Sequence, residues 1–228
     1  MNVRIACILV GLGAALLPGQ DVVKVAPAGT VKVEYEDSQV RVLRFKEPPG
    51  TKMAMHSHPP YVSVGLTNDV AKYSFPGGKT AVETGKPGDV QFSKGVTHAS
   101  ENTGKTKAEA VFVELKTAPA GTVLTGEGDM VAANPAMSKV EADNDYVRIT
   151  RVTVPAHGKL AMHAHPSRYV VVYVSGGRMK TTSADGKVAT ANLAPGTVRA
   201  NAPSKHSNEN LGNKPAEAIV IELKTAAK

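Results

Sequence analysis

Thiol chemistry is almost excluded from this chain, because its one cysteine, Cys7, lies inside an N-terminal apolar run. Once that run is set aside, disulfides, cysteine-ligated zinc and a cysteine nucleophile have no residue to act through. Tryptophan is absent and aromatic residues make up only 4% of the chain, which argues against a sugar-stacking groove or a base-stacking platform. Glycine-rich phosphate loops and Ser-His-Asp nucleophile sets are also missing. Although the formal charge is +7, the lysines are scattered singly among strands and turns and form no basic helix, so nucleic acid is not an expected partner.

Long hydrophobic runs are lacking as well. The apolar stretch at residues 5–17 follows Arg4 and ends at Pro18-Gly19-Gln20; it is shorter than the roughly 17–25 residues that span a bilayer. Residues 1–20 therefore read as a signal peptide, with a periplasmic or secreted product and no membrane association after cleavage.

What the chain does have is seven histidines, six of them in two matching sets. Met53-Ala54-Met55-His56-Ser57-His58 returns as Leu160-Ala161-Met162-His163-Ala164-His165, and a third histidine follows each pair, His98 and His206. In a strand, alternate side chains face one way, so His-x-His aims two imidazoles at one side of a sheet. The same parity puts Met53 and Met55 on the opposite side from the histidines, where apolar packing is expected. The repetition extends well beyond the histidines. An offset of 107 (Lys32 to Lys139) holds as far as the His-x-His pair, and an offset of 108 (Tyr61 to Tyr169, His98 to His206, Glu114 to Glu222) holds after it. This is a duplicated domain, with units at residues 21–118 and 129–228 joined by a connection at 119–128.

Within a unit the patterns are short, alternating and β-branched, as in Val40-Arg41-Val42-Leu43-Arg44, and helix-period runs are nearly absent, so the class is all-β. Gly77-Gly78 and Asp185-Gly186 are expected to form type I′ hairpins, and Pro87-Gly88 and Pro195-Gly196 mark a second turn. Gly50-x5-His56-x-His58, with Pro87-Gly88-Asp89-Val90 and Gly95-x2-His98-x3-Asn102, resembles the two motifs of the cupin superfamily. The second unit repeats them around His163, His165, His206 and Asn210. The resemblance implies two tandem cupin-type jelly-roll barrels, a bicupin, whose barrels pack together within one chain. The glutamate of the cupin pattern is missing after each His-x-His pair. What remains, His56, His58 and His98 in one unit and His163, His165 and His206 in the other, is similar to the three-histidine dioxygenases of that superfamily.

Imidazole ligation suits Fe, Zn, Cu or Ni. A dication with three neutral ligands keeps its full charge and an open position, so it favours anionic ligands. The expected function is an exported metal-binding protein that acts on a small anionic molecule as a dioxygenase or as a Lewis-acid lyase or isomerase; the alternative is a binder without turnover. Strand parity places Asn102 and Asn210 on the histidine face as ligand-orienting residues. Tyr61, Tyr169 and Arg168 directly follow the His-x-His pairs and are candidates for the pocket mouth. Gly50 and Gly95 stand where the second unit has His157 and Pro203. The first unit is therefore expected to place its third histidine with less strain and to be the better site.

Overall fold

The structure, a computed structural model, describes residues 19–120, 126 and 128–224. Residues 1–18 of the expected signal peptide at 1–20 lie outside the described residues, as do residues 121–125 and 127 of the connection. The chain divides into two compact units, Met1–Lys116 and Thr117–Lys228. Among the described residues no helix is long and apolar enough to cross a membrane.

The first unit opens with one helical turn, α1 (Val22–Val25), followed by β1 (Val31–Glu36), β2 (Val40–Glu47), β3 (Lys52–His58), β4 (Tyr61–Gly65), β5 (Asp69–Ser74), β6 (Thr80–Gly85), β7 (Val90–Ser93), β8 (Val96–Asn102) and β9 (Ala108–Leu115). These form two antiparallel sheets, in the orders β1-β2-β9-β4-β7 and β3-β8-β5-β6. The second unit repeats the plan with α2 (Met130–Ala133), β10 (Ser138–Asp143), β11 (Val147–Val154), β12 (Lys159–His165), β13 (Tyr169–Tyr173), β14 (Gly177–Ser183), β15 (Val188–Leu193), β16 (Val198–Asn201), β17 (Ser204–Asn210) and β18 (Ala216–Leu223). Its sheets run β10-β11-β18-β13-β16 and β12-β17-β14-β15. In each unit both sheets turn side chains toward one interior, the layered arrangement of a jelly roll.

The β-branched runs lie where burial is deepest. Val42 and Leu43 on β2, and Ile219 and Ile221 on β18, are fully enclosed in the middle of the five-stranded sheets. The His-x-His strands are at sheet edges, and the entry segment of each unit covers that edge. Ser57 N–H donates to the carbonyl of Gln20 at 3.0 Å, and Ala164 N–H donates to that of Gly128 at 2.7 Å. Open edge groups are satisfied in this way, and the residue between the two histidines is pinned from outside. An aspartate then caps the short helix: Asp21 accepts from Val23 N–H, and Asp129 accepts from Val131 and Ala132 N–H.

Two sequence expectations are corrected here. A β-bulge between Met53 and His56, repeated between Leu160 and His163, inserts one residue and resets the alternation. Met53 and Leu160 are consequently buried in the interior, while Met55 and Met162 are exposed. The second correction concerns the hairpins. Gly77 and Gly78 both take positive φ, but they sit within a five-residue loop, since Ser74 pairs with Thr80. In the other unit only Gly186 is left-handed, because Asp185 keeps a negative φ that suits a residue with a Cβ.

His157 is the one non-glycine residue at positive φ among the described residues, at 58°, where the first unit has Gly50 at 78°. A Cβ at Gly50 would meet no atom within 4 Å, so only backbone strain distinguishes the two positions. Gly50→Ala should therefore cost about 1 kcal/mol and His157→Gly should gain up to about 1 kcal/mol in urea unfolding. Stabilisation by Gly50→Ala, destabilisation by His157→Gly, or no response to either, would contradict this account.

Candidate metal centre

Each histidine triad is assembled from two strands of the four-stranded sheet. β3 supplies His56 and His58, and its neighbour β8 places His98 directly opposite His56; β12 and β17 do the same with His163, His165 and His206. The ligand-capable atoms within each triad lie within 4.8 Å of one another. All are buried except the half-buried His206.

The hydrogen bonds fix which ring nitrogens are free. His56 Nδ1 faces the carbonyl of Ala54 at 2.7 Å, a pure acceptor, so Nδ1 carries the proton and Nε2 keeps a lone pair. His58 Nδ1 lies 2.7 Å from Glu114 Oε1, and the other oxygen of that carboxylate accepts from Arg41 Nε at 2.6 Å. Glu114 can therefore only accept, and His58 must donate. The two Nε2 atoms then face each other with their lone pairs at 3.1 Å. The second unit repeats the pattern, with His163 Nδ1 on the Ala161 carbonyl at 2.8 Å and His165 Nδ1 on Glu222 at 2.9 Å. His206 Nδ1 is 3.3 Å from Ser204 Oγ.

Burial, reinforced by the neighbouring imidazoles, pushes His98 and His206 down to about 3, with a hydrogen bond to Asn208 opposing at His206. His56 and His163 are also lowered, burial again being the largest cause, while the carbonyls of Ala54 and Ala161 act against it. His56, His98, His163 and His206 thus present neutral imidazoles at neutral pH.

Glu114 and Glu222 are what sequence reasoning missed as site residues. They are 1% and 2% exposed and lie on the central strands β9 and β18, where strand parity turns them inward at the histidine level. An acid repeated at one offset inside an otherwise β-branched run was the available signal. Behind Glu114, Arg41 also pairs with the capping Asp21, so a continuous relay joins His58 to the entry segment. In the second unit Arg148 pairs with Asp129, but Arg148 Nε and Glu222 Oε2 have no hydrogen-bond partner.

The other sequence candidates separate clearly. Tyr169 stacks on His165 with ring centroids 4.0 Å apart, donates or accepts a hydrogen bond with Ser204 at 2.9 Å, and lines the cavity of its unit. Tyr61 instead lies flat on Phe112, centroids 4.8 Å apart, with burial pushing its hydroxyl up to about 12 against a hydrogen bond from Ser93. The amides of Asn102, which is in the wall of the first cavity, and of Asn210 are engaged by backbone groups. Asn102 donates to the carbonyls of Glu47 and Thr106 and accepts from Gly104 N–H. Asn210 donates to those of Val154, Pro155 and Lys214 and accepts from Gly212 N–H. Both amides clamp turns at the far end of their strands, about four residues beyond the histidine. Arg168 does not line the second cavity, because it stands one residue before the inward-facing Tyr169 and parity turns it away.

The interiors around the triads differ. In the first unit the cavity measures 80 Å³ and includes Glu47 and Asp69 in its wall. Burial, with the charge of Asp69, pushes Glu47 up to about 7. In the second unit the cavity measures 430 Å³. His157 is left-handed where the first unit has Gly50, whereas the larger space for a ligand is in the second unit.

The sequence matches no family profile and no curated protein. Solved structures do match. AerE from Microcystis aeruginosa is 13% identical, with a TM-score of 0.64 over 86% of this chain and 93% of that one. A variant of oxalate decarboxylase from Bacillus subtilis is 15% identical, with a TM-score of 0.58 over 84% of this chain and 71% of that one; the centres of that decarboxylase are described as Mn(II). A cupin domain from Bordetella pertussis Tohama I is 26% identical over 39% of this chain and 93% of its own length, with a TM-score of 0.37. The chain thus shares its all-β fold with the first two of these structures, in two units of antiparallel sheets that each carry one three-histidine cluster.

Proposed function

We propose that this is an exported, metal-binding bicupin in which each triad holds a divalent transition ion and presents it to a small organic anion, for proton-transfer chemistry of the lyase or isomerase kind. The observation that carries the reading is the pair of facing Nε2 lone pairs of His56 and His58 at 3.1 Å. Two lone pairs at that distance repel, and a cation bonded to both reverses the sign. Ions held at 2.0–2.1 Å by nitrogen separate adjacent donors by about 2.9–3.4 Å, so the spacing fits. When bound, such an ion supplies a Lewis acid with open positions for an anion. Imidazole donors suit iron, zinc, copper or nickel, and the Mn(II) of the decarboxylase neighbour adds manganese to the candidates.

The chain's own groups do the remaining work. Glu114 and Glu222 hold the Nδ1–H of His58 and His165, fixing ring orientation and raising ligand basicity. Glu47, held near neutrality, is a carboxyl able to give or take a proton inside the first cavity. Tyr169 and Ser204 offer hydroxyls in the second. Export is supported by the apolar segment after Arg4 and by the absence of thiols beyond it.

Metal analysis of the purified protein should find two equivalents per chain, and His98→Ala or His206→Ala should each remove one. An unchanged metal content in both variants would sink the proposal. Glu114→Gln and Glu222→Gln should each weaken metal affinity at their own centre by about 10–100-fold in competition with a chelator; unaltered affinity would mean the carboxylates are only packing. A third expectation concerns the metal-free protein. His56, His98, His163 and His206 titrate lower in the folded than in the unfolded chain, where histidine titrates near 6.5, so the unfolded state takes up more protons below that pH. Urea midpoints should fall as the pH is lowered from about 6.5, and a flat profile down to pH 4 would contradict the buried, neutral state of these four histidines.

A further inference from the structure

The duplication allows the two interiors to be compared position by position. Phe45 of β2 becomes Val152, Phe112 of β9 becomes Val220, Tyr73 of β5 becomes Thr181, and Phe75 becomes Ser183. Phe45, Phe112 and Tyr73 line the first cavity, and Val152, Val220, Thr181 and Ser183 line the second. In the first unit Phe45 packs on Phe112 with centroids 4.5 Å apart, and Tyr73 stacks on His98 at 5.1 Å. These rings plug the space below the histidines. Their small replacements account for the difference between 80 and 430 Å³, and the larger value lies in the range of small-molecule sites.

Polarity is also redistributed. At the far end from the triad the first unit has Glu47 and Asp69, and the second has Val154 and Gly177. Down β18 the inward positions run from Glu222 at the histidines through Val220 and Ala218 to Ala216, which faces Val154 across the sheet. Tyr169, Ser204 and Lys205 lie at the histidine end of the same cavity, and Arg199 stands further down its wall, level with Val171 and Val220. Arg199 stands where the first unit has Gln91, and neither it nor Lys205 has an ion-pair partner among the described residues. The one carboxylate in the cavity wall outside the triad's own partner, Glu217, is paired with Arg151.

We propose that the C-terminal cavity is an organic-acid site, taking a carboxylate with an elongated apolar body whose head lies at the His163, His165 and His206 end, within the field of Lys205 and Arg199 of the cavity wall, and whose tail lies against Val154, Leu193 and Ala216. The N-terminal cavity, plugged by Phe45 and Phe112, admits only molecules of a few atoms. The placement of the head rests on the metal reading above, whereas the tail site does not.

The test is calorimetric titration of the full chain, metal-loaded and metal-free, with acetate, butyrate, hexanoate and octanoate. Affinity should rise about fourfold per methylene until the cavity is full, at one equivalent per chain. Val220→Phe, and separately Thr181→Tyr, each copy the first unit's residue and should lower octanoate affinity at least tenfold while leaving metal content and melting temperature unchanged. Arg199→Gln, at an exposed position that tolerates substitution, should lower the affinity of every member of the series by a similar factor. A chain-length dependence that persists in a protein found to bind no metal would remove the metal reading and leave this one standing. Independence of chain length in metal-loaded protein, or full octanoate affinity in both cavity-filling variants, would overturn it.

Discussion

Everything distinctive about these two barrels depends on the hydrogen bonds that hold the outer nitrogens of the histidines. A ring that donates Nδ1–H to a fixed acceptor has one tautomer and one orientation, and its Nε2 lone pair is then aimed by the backbone. For His56 and His163 the acceptor is a carbonyl two residues earlier in the same strand, exposed to the ring by the bulge that precedes it. His58 and His165 use instead a buried carboxylate from the opposite sheet. The two sheets of each unit are thus joined at the site by an ionic hydrogen bond as well as by apolar packing.

That bond has its own support. Burying Glu114 would be costly without a counter-charge, and Arg41 supplies one while also reaching the aspartate that caps α1. The segment carrying Asp21 lies along the edge of β3 and bonds to the residue between the two histidines. Entry segment, helix cap, arginine, glutamate and histidine form a single chain of contacts in the first unit. In the second the link between Arg148 and Glu222 is not made, and two buried polar atoms are left over. Divergence after duplication has therefore affected the support of the site as well as its cavity, while all six histidines remain in place.

The aromatic residues show how little change is needed to convert one kind of interior into the other. Rings at three positions close the space beneath the first triad, and replacement by Val, Val and Thr opens it without altering strand order or register. Interiors of this kind are close-packed, so loss of ring volume from a rigid sheet pair leaves a void instead of a collapse. Exchange of Glu47 and Asp69 for Val154 and Gly177 then sets the polarity of that void.

The sequence by itself determined the duplication, the all-β class and the six histidines, because these are carried by local signals: repeated offsets, period-two alternation and the two-residue spacing of a strand. Its reading of Met53 on the outer face was wrong, since one inserted residue in β3 reverses parity and no local pattern announces it. Asn102 and Asn210 shared a face with the histidines as parity required, yet their amides are consumed by turns that only the folded chain brings to them. The tertiary structure alone decided that Glu114 meets His58 across 56 positions of sequence, and that Phe45 and Phe112 stand together under one triad while Val152 and Val220 stand under the other. Such pairings follow from register between strands far apart in the chain, and register is fixed by the packing of the whole sheet instead of by any stretch of it.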